Sequence, residues 1–141
     1  MSPFRRDEAG FSMVIWTMSL AVVLFAVIYL VTDTWRLIAA DRALSAAVDA
    51  AAAAGANAID EDSYRAGANV RLDPARAEAL ARQSLAEQDD ADQFVGVTVS
   101  AAPDQITVAA DRSVQLLLLR FIGESGRLVH AEGQGTPRTS P

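Results

Sequence analysis

Between Ala9 and Thr32 the chain carries no charged residue. From Phe11 to Val31 it is built of Phe, Met, Val, Ile, Trp, Leu and Ala, interrupted only by Ser12, Thr17, Ser19 and Tyr29. A bilayer core of about 30 Å takes roughly 20 helical residues at about 1.5 Å each, and a hydroxyl inside such a helix bonds back to its own backbone. The run therefore reads as a membrane-spanning helix. A removable export signal would have an apolar region of about 7 to 15 residues and a small-x-small cleavage site. Here the run is longer and leads into Asp33, Thr34, Trp35 and Arg36, which favours a retained anchor. Arg5 and Arg6 before the span balance Arg36 and Arg42 after it, so the positive-inside rule gives a tie. The amino terminus and the short flank of residues 1–10 tip the expectation toward a cytoplasmic start, with Tyr29 and Trp35 as interfacial aromatics near the outer end.

No proline lies between Phe11 and Ala58, and no glycine until Gly55, so the helical pattern continues past the membrane boundary. Residues 11–58 as one helix would measure roughly 70 Å, well beyond any bilayer. Its second half is dominated by alanine, with Asp41, Ser45 and Asp49 forming a polar stripe at i, i+4, i+8. Small side chains allow backbones to approach closely, and Ala46, Ala50 and Ala53 are the expected packing face, against copies of the helix or against a compact head.

The rest of the chain reads as a small α+β head. Gly55, Asn57 and the acidic Asp60, Glu61 and Asp62 end the long helix, and a loop runs through Gly67 and Asn69. Asp73-Pro74 is a helix start, aspartate capping and proline in the first turn, and Ala77, Leu80, Ala81, Ser84 and Leu85 mark one face. Glu78 and Arg82 are spaced to pair. From Phe94 the period becomes two: Val95, Val97 and Val99 are expected on one face, then Ile106, Val108 and Ala110 after a turn at Ala101-Ala102-Pro103-Asp104. Leu116 to Leu119, Phe121 and Ile122 form an apolar connector, and Leu128 to Gln134 a third strand. The expected fold class is α+β: a long transmembrane helix extended into a head with one helix on a three-stranded antiparallel sheet. The corresponding divisions are a leader at 1–10, the transmembrane and extended helix at 11–58, the head at 59–134 and a flexible tail at 135–141. So small a head is expected to lean on the long helix or on neighbours.

Composition narrows the chemistry. The 141 residues include no cysteine, which removes disulfides, thiol nucleophiles and cysteine-type zinc sites. Twelve arginines against eighteen acids give a net charge of -6, no footing for nucleic acid. His130 is the lone histidine, on a strand without a second ligand of its kind. Glu87, Asp89, Asp90 and Asp92 form an acidic turn without the central glycine and terminal glutamate of an EF-hand loop. Neither a nucleophile elbow nor a phosphate loop is present, so the expectation is no enzyme, no cofactor, no metal site and no small-molecule substrate.

The order of parts resembles the TadE/TadG-like family of tight-adherence (Flp) pilus assembly proteins. The resemblance is carried by Asp7-Glu8-Ala9-Gly10 ahead of the membrane helix, by Asp33-Thr34-Trp35-Arg36 after it, and by the segment from Asp41-Arg42 through Asp49 and an alanine run to Gly55-Ala56. It is strongest over residues 5–60. It singles out Asp33, Arg36, Arg42 and Asp49 as family-like polar positions and implies an exported head that works in a pilus rather than in catalysis. Gly10-Phe11 also resembles a prepilin-peptidase site, cut after glycine and before phenylalanine. Pilins carry glutamate at the fifth residue of the mature chain, where it neutralises a neighbour's terminal amine; Ile15 stands there in this chain. An unpartnered ammonium in an apolar filament core is costly, which disfavours a major filament subunit. The chain is then either processed and placed once, as at a tip, or uncut and retained as an anchored assembly factor.

The functional expectation is thus a minor pilin-like or assembly component in the bacterial cytoplasmic membrane, single-pass, head outside, with other pilus subunits as partners. Leu117, Leu119 and Phe121 on the connector are the expected partner surface, since so apolar a stretch exceeds what one side of the head covers. The alternative is a single-pass signalling or regulatory protein whose head binds a ligand or partner.

Overall fold

The structure, a computed structural model, describes residues 5–67, 69–117, 123 and 126–137. Helix α1 runs without a break over Arg5–Ala56, 52 residues, about 78 Å at 1.5 Å per residue. It is followed by α2 (Glu61–Arg65), α3 (Pro74–Ala86), a 3-10 turn at Ala91–Gln93, and strands β1 (Phe94–Ala101), β2 (Ile106–Val114) and β3 (Arg127–Gly135). The strands form one antiparallel sheet in the order β1-β2-β3. The last turns of α1, together with α3, cover one face of that sheet, so the head is an α+β unit built onto the end of the long helix.

The two parts of α1 differ in side-chain size. Every side chain from Phe11 to Val31 is exposed, including Trp16, Leu20, Phe25 and Leu30, and among the described residues nothing buries them. This segment is long and apolar enough to cross a membrane. Beyond Ala40 one face is buried instead: Leu44, Ala47, Val48, Ala51, Ala52 and Ala56. Ala46, Ala50 and Ala53 lie exposed on the other side of the helix, and the head packs on a different face. The larger side chains decide the matter, because Leu44 and Val48 stand four apart and are fully buried, and the alanines beside them follow.

The chain leaves α1 through Asn57, whose N–H donates to the Ala54 carbonyl, and is then tied to the segment before α3. Ile59 pairs with Leu72, the Asp60 N–H donates to the Arg71 carbonyl and the Asp73 N–H to the Ala58 carbonyl, each at 2.9 Å for the latter two. The stretch read as loop holds the single turn of α2. Asp60 caps it, accepting from the N–H groups of Asp62 and Ser63. The Ser63 hydroxyl donates to Asp60 Oδ2 at 2.6 Å and, with those N–H groups, holds the Asp60 carboxyl below its ordinary range, desolvation working the other way. Helix α3 starts as expected, with Asp73 accepting from Ala75 and Arg76 and Pro74 in the first turn, and it buries Ala77, Ala81 and Leu85. Glu78 is not spent on Arg82; its Oε1 accepts from the Ala101 N–H at 3.3 Å and fastens α3 to the end of β1.

Strand β1 departs from strict alternation. Val95 pairs with Asp111 and Thr98 with Ala109, so β1 spends one extra residue there, and Gly96 takes up the bulge at φ +67°. The bulge leaves Val95 half exposed on the outer side, while Phe94, Val99 and Ala101 pack toward the core. Val95, Val97 and Val99 therefore do not share one face. Strands β2 and β3 do alternate, with Ile106, Val108, Ala110 and Ala131 inward and Thr107, Asp111, His130, Glu132 and Gln134 outward.

Close approach is what seats α1 on the sheet. A Cβ on Gly135 would stand 2.5 Å from the Ala52 carbonyl oxygen, and one on Gly133 2.9 Å from Val48 Cγ1. On the other flank a Cβ on Gly55 would meet the Ala77 carbonyl oxygen at 2.9 Å and run into the Ile106 side chain. Alanine in an exposed helix is worth about 1 kcal/mol over glycine, but overpacking costs about 1 to 3 kcal/mol. Gly55→Ala is expected to lower the thermal midpoint of the full chain in detergent, whereas Gly67→Ala, with nothing within 4 Å, carries only the backbone strain of its positive φ. A raised midpoint for Gly55→Ala would count against the close seating of α1 on α3.

Candidate functional site at the junction of the long helix and the head

At the lower end of the head a second, smaller apolar cluster joins α1 to the sheet: Ala40, Val114 and Leu116 are buried, with Leu37 and Val129 packed against them. Just below it sits Asp33. It is the buried charged residue of the described part of the chain, with 5% of its surface exposed, and it lies one residue past the uncharged run. Its Oδ1 accepts the Leu117 N–H at 3.0 Å, across 84 residues of sequence. A buried carboxylate is tolerated only where hydrogen bonds replace water, and the backbone donor supplied by the connector does so here. The polymer thus returns from the far end of the sheet to the helix where the apolar run ends.

The other positions singled out by sequence are not gathered at this point. Gly10 and Phe11 lie inside α1 with no break between them, and Phe11 is exposed. Arg36 and Arg42 are exposed on α1, and Asp49, also exposed, borders β3, its Oδ1 standing 2.9 Å from where a Cβ of Gly133 would be. Leu117 is half buried beside Asp33, while Leu119 and Phe121 fall outside the described residues, as does most of the connector. Of the proposed tail, residues 138–141 likewise lie outside them.

An open cleft of about 770 Å³ adjoins the junction, between α1 at Arg36, Ala39 and Ala43 and the head at Asp92, Val95 and Arg112. Arg112 is fixed: it makes an ion pair with Asp90 and its Nη2 donates to Gln93 Oε1 at 2.8 Å, both across the start of the hairpin. Asp90 belongs to the acidic turn expected from sequence; the structure uses it as this arginine's partner, and uses Glu87 as acceptor for Gln83 Nε2 at 2.8 Å. On the outer sheet face His130 Nδ1 lies 2.8 Å from Asp111 Oδ1, a cross-strand pair in register. Among the described residues no three His, Asp or Glu side chains converge as metal ligands.

Asp33 was legible as a polar position but not as a buried tie, because its partner is a backbone N–H that no sequence pattern marks. Compared with known protein families, with characterised proteins and with solved structures, the chain matches none.

Removing the carboxylate leaves a half-buried N–H without its acceptor, at a cost of about 1 to 3 kcal/mol. Asp33→Ala is expected to speed amide hydrogen exchange at Leu117 by about tenfold or more while exchange in α3 stays unchanged, and Asp33→Asn, which keeps an acceptor oxygen, to retain most of the protection. Unaltered exchange at Leu117 in Asp33→Ala would mean the connector is held by other means.

Proposed function

We propose that this protein is a minor pilin-like or assembly component of a tight-adherence pilus, anchored in the bacterial cytoplasmic membrane with its amino terminus inside and its head outside. The observation that carries this reading is the continuity of α1: an exposed apolar stretch long enough to span passes without a break into the helix on which the head is built. Such a device delivers a head at a fixed height and orientation above a membrane, which suits subunits that assemble by apposing helices and heads. The family-like order of Gly10-Phe11, Asp33, Arg36, Arg42 and Asp49 along that one helix supports the same reading. Its work is assembly, through helix packing and head contacts, and not catalysis. Ile15, exposed at the position where a filament-forming pilin would carry a carboxylate, supports a place at a tip or at the assembly site rather than along a filament.

Two measurements test this. A reporter fused after Pro141 is expected to be active outside the cytoplasm, and activity confined to the cytoplasm would overturn the topology. Ile15→Glu is expected to raise recovery of the protein in sheared pili when mass spectrometry shows the mature chain beginning at Phe11. An intact amino terminus assigns it instead to the uncut assembly factor, and absence from every pilus fraction and assembly complex would sink the reading altogether.

A further inference from the structure

We propose that the cleft at the junction binds the headgroup of a zwitterionic phospholipid bearing a primary ammonium, of the phosphatidylethanolamine type; this rests on the reading of α1 as a membrane span. Depth is the first argument. The uncharged run ends at Thr32, and Arg36 follows about 6 Å further along the helix axis, within the headgroup layer of about 5 to 8 Å that flanks each side of the hydrocarbon. From Arg36 the cleft continues outward along α1 to Ala43, about 10 Å more. Its volume of about 770 Å³ is in the range of small-ligand sites, and it is open enough to be entered from the side.

Charge complementarity is the second argument. Among the described residues four charged side chains line the cleft: Arg36, Asp90, Asp92 and Arg112. Arg112 and Asp90 neutralise each other, with Gln93 as a further acceptor for the guanidinium. That leaves one cation on the helix, Arg36, and one carboxylate on the head, Asp92, neither with a hydrogen bond or ion pair among the described residues. One positive charge at headgroup depth and one negative charge on the opposite wall match a phosphodiester and an ammonium. A purely anionic headgroup would satisfy Arg36 and face Asp92 uncompensated. A quaternary ammonium is held by aromatic faces, whereas the apolar lining here is Ala39, Ala40, Ala43, Val95 and Val114. A primary ammonium donates hydrogen bonds directly to a carboxylate, which is what Asp92 offers.

The test uses the full chain purified in detergent and presented with equal amounts of phosphatidylethanolamine, phosphatidylcholine and phosphatidylglycerol, with bound lipid read by native mass spectrometry. Retention of phosphatidylethanolamine over the other two is expected. Arg36→Gln and Asp92→Asn should each weaken it about tenfold, the ratio set by one charge-assisted hydrogen bond, with the thermal midpoint of the head unchanged. Asp92→Asn should in addition narrow the gap to phosphatidylglycerol, which a merely structural role for Asp92 would not do. Equal retention of the three lipids, preference for phosphatidylglycerol in the native chain, or indifference to both substitutions would overturn the assignment. Carbonate extraction separates the two readings: a chain stripped from membranes by carbonate overturns the anchored reading and this one with it, and a carbonate-resistant chain without lipid preference overturns this one alone.

Discussion

The architecture depends on how near two backbones can come. Strand β3 lies under α1 at Gly133 and Gly135, and α3 lies beside it at Gly55, and at each place a Cβ would press on a neighbour's carbonyl oxygen or side chain. Only a helix surface of small residues fits such a distance, which is why the buried face of α1 is mostly alanine around Leu44 and Val48. Each alanine buries little area, so the seat relies on dispersion across a close contact more than on bulk transferred from water. The few large buried side chains, Leu44, Leu72, Ile106, Val48 and Val108, fill what remains between the helices and the sheet.

The same helix follows opposite rules along its length. Residues 11–31 present bulky aliphatic and aromatic side chains in all directions, as a segment surrounded by hydrocarbon requires, and residues beyond Ala40 present one small face to protein and a polar or small face to solvent. The change falls at Asp33 to Leu37, where a carboxylate, Trp35 and Arg36 occur within one turn. Asp33 uses that boundary by accepting the Leu117 N–H, so the head meets α1 through its core above and through a polar tie below.

The strand periods, the Asp73-Pro74 helix start and the unbroken helix were legible because each has a local cause: alternation, a cap, the lack of a breaker. The packed face of α1 was not, since a run of alanine carries no amphipathic contrast and only Leu44 and Val48 mark the inner side. The bulge at Gly96 was hidden because one glycine inside a strand pattern fits either a continuous strand or an extra residue, and the choice depends on pairing with Asp111 and Ala109. The partners of Glu78, Asp90 and Asp33 lie 23, 22 and 84 residues away, beyond the reach of any spacing rule.

Because α1 enters the head without a hinge, the tilt of its apolar half is also the tilt of the head. Residues 40–56 extend about 25 Å past the junction, and for a spanning helix inclined by about 20° their far end is displaced sideways by about 9 Å. For such a helix placed across a membrane, bilayer thickness, by biasing that inclination, would become a coordinate of the head: a thinner membrane would lean it over, and a thicker one stand it up.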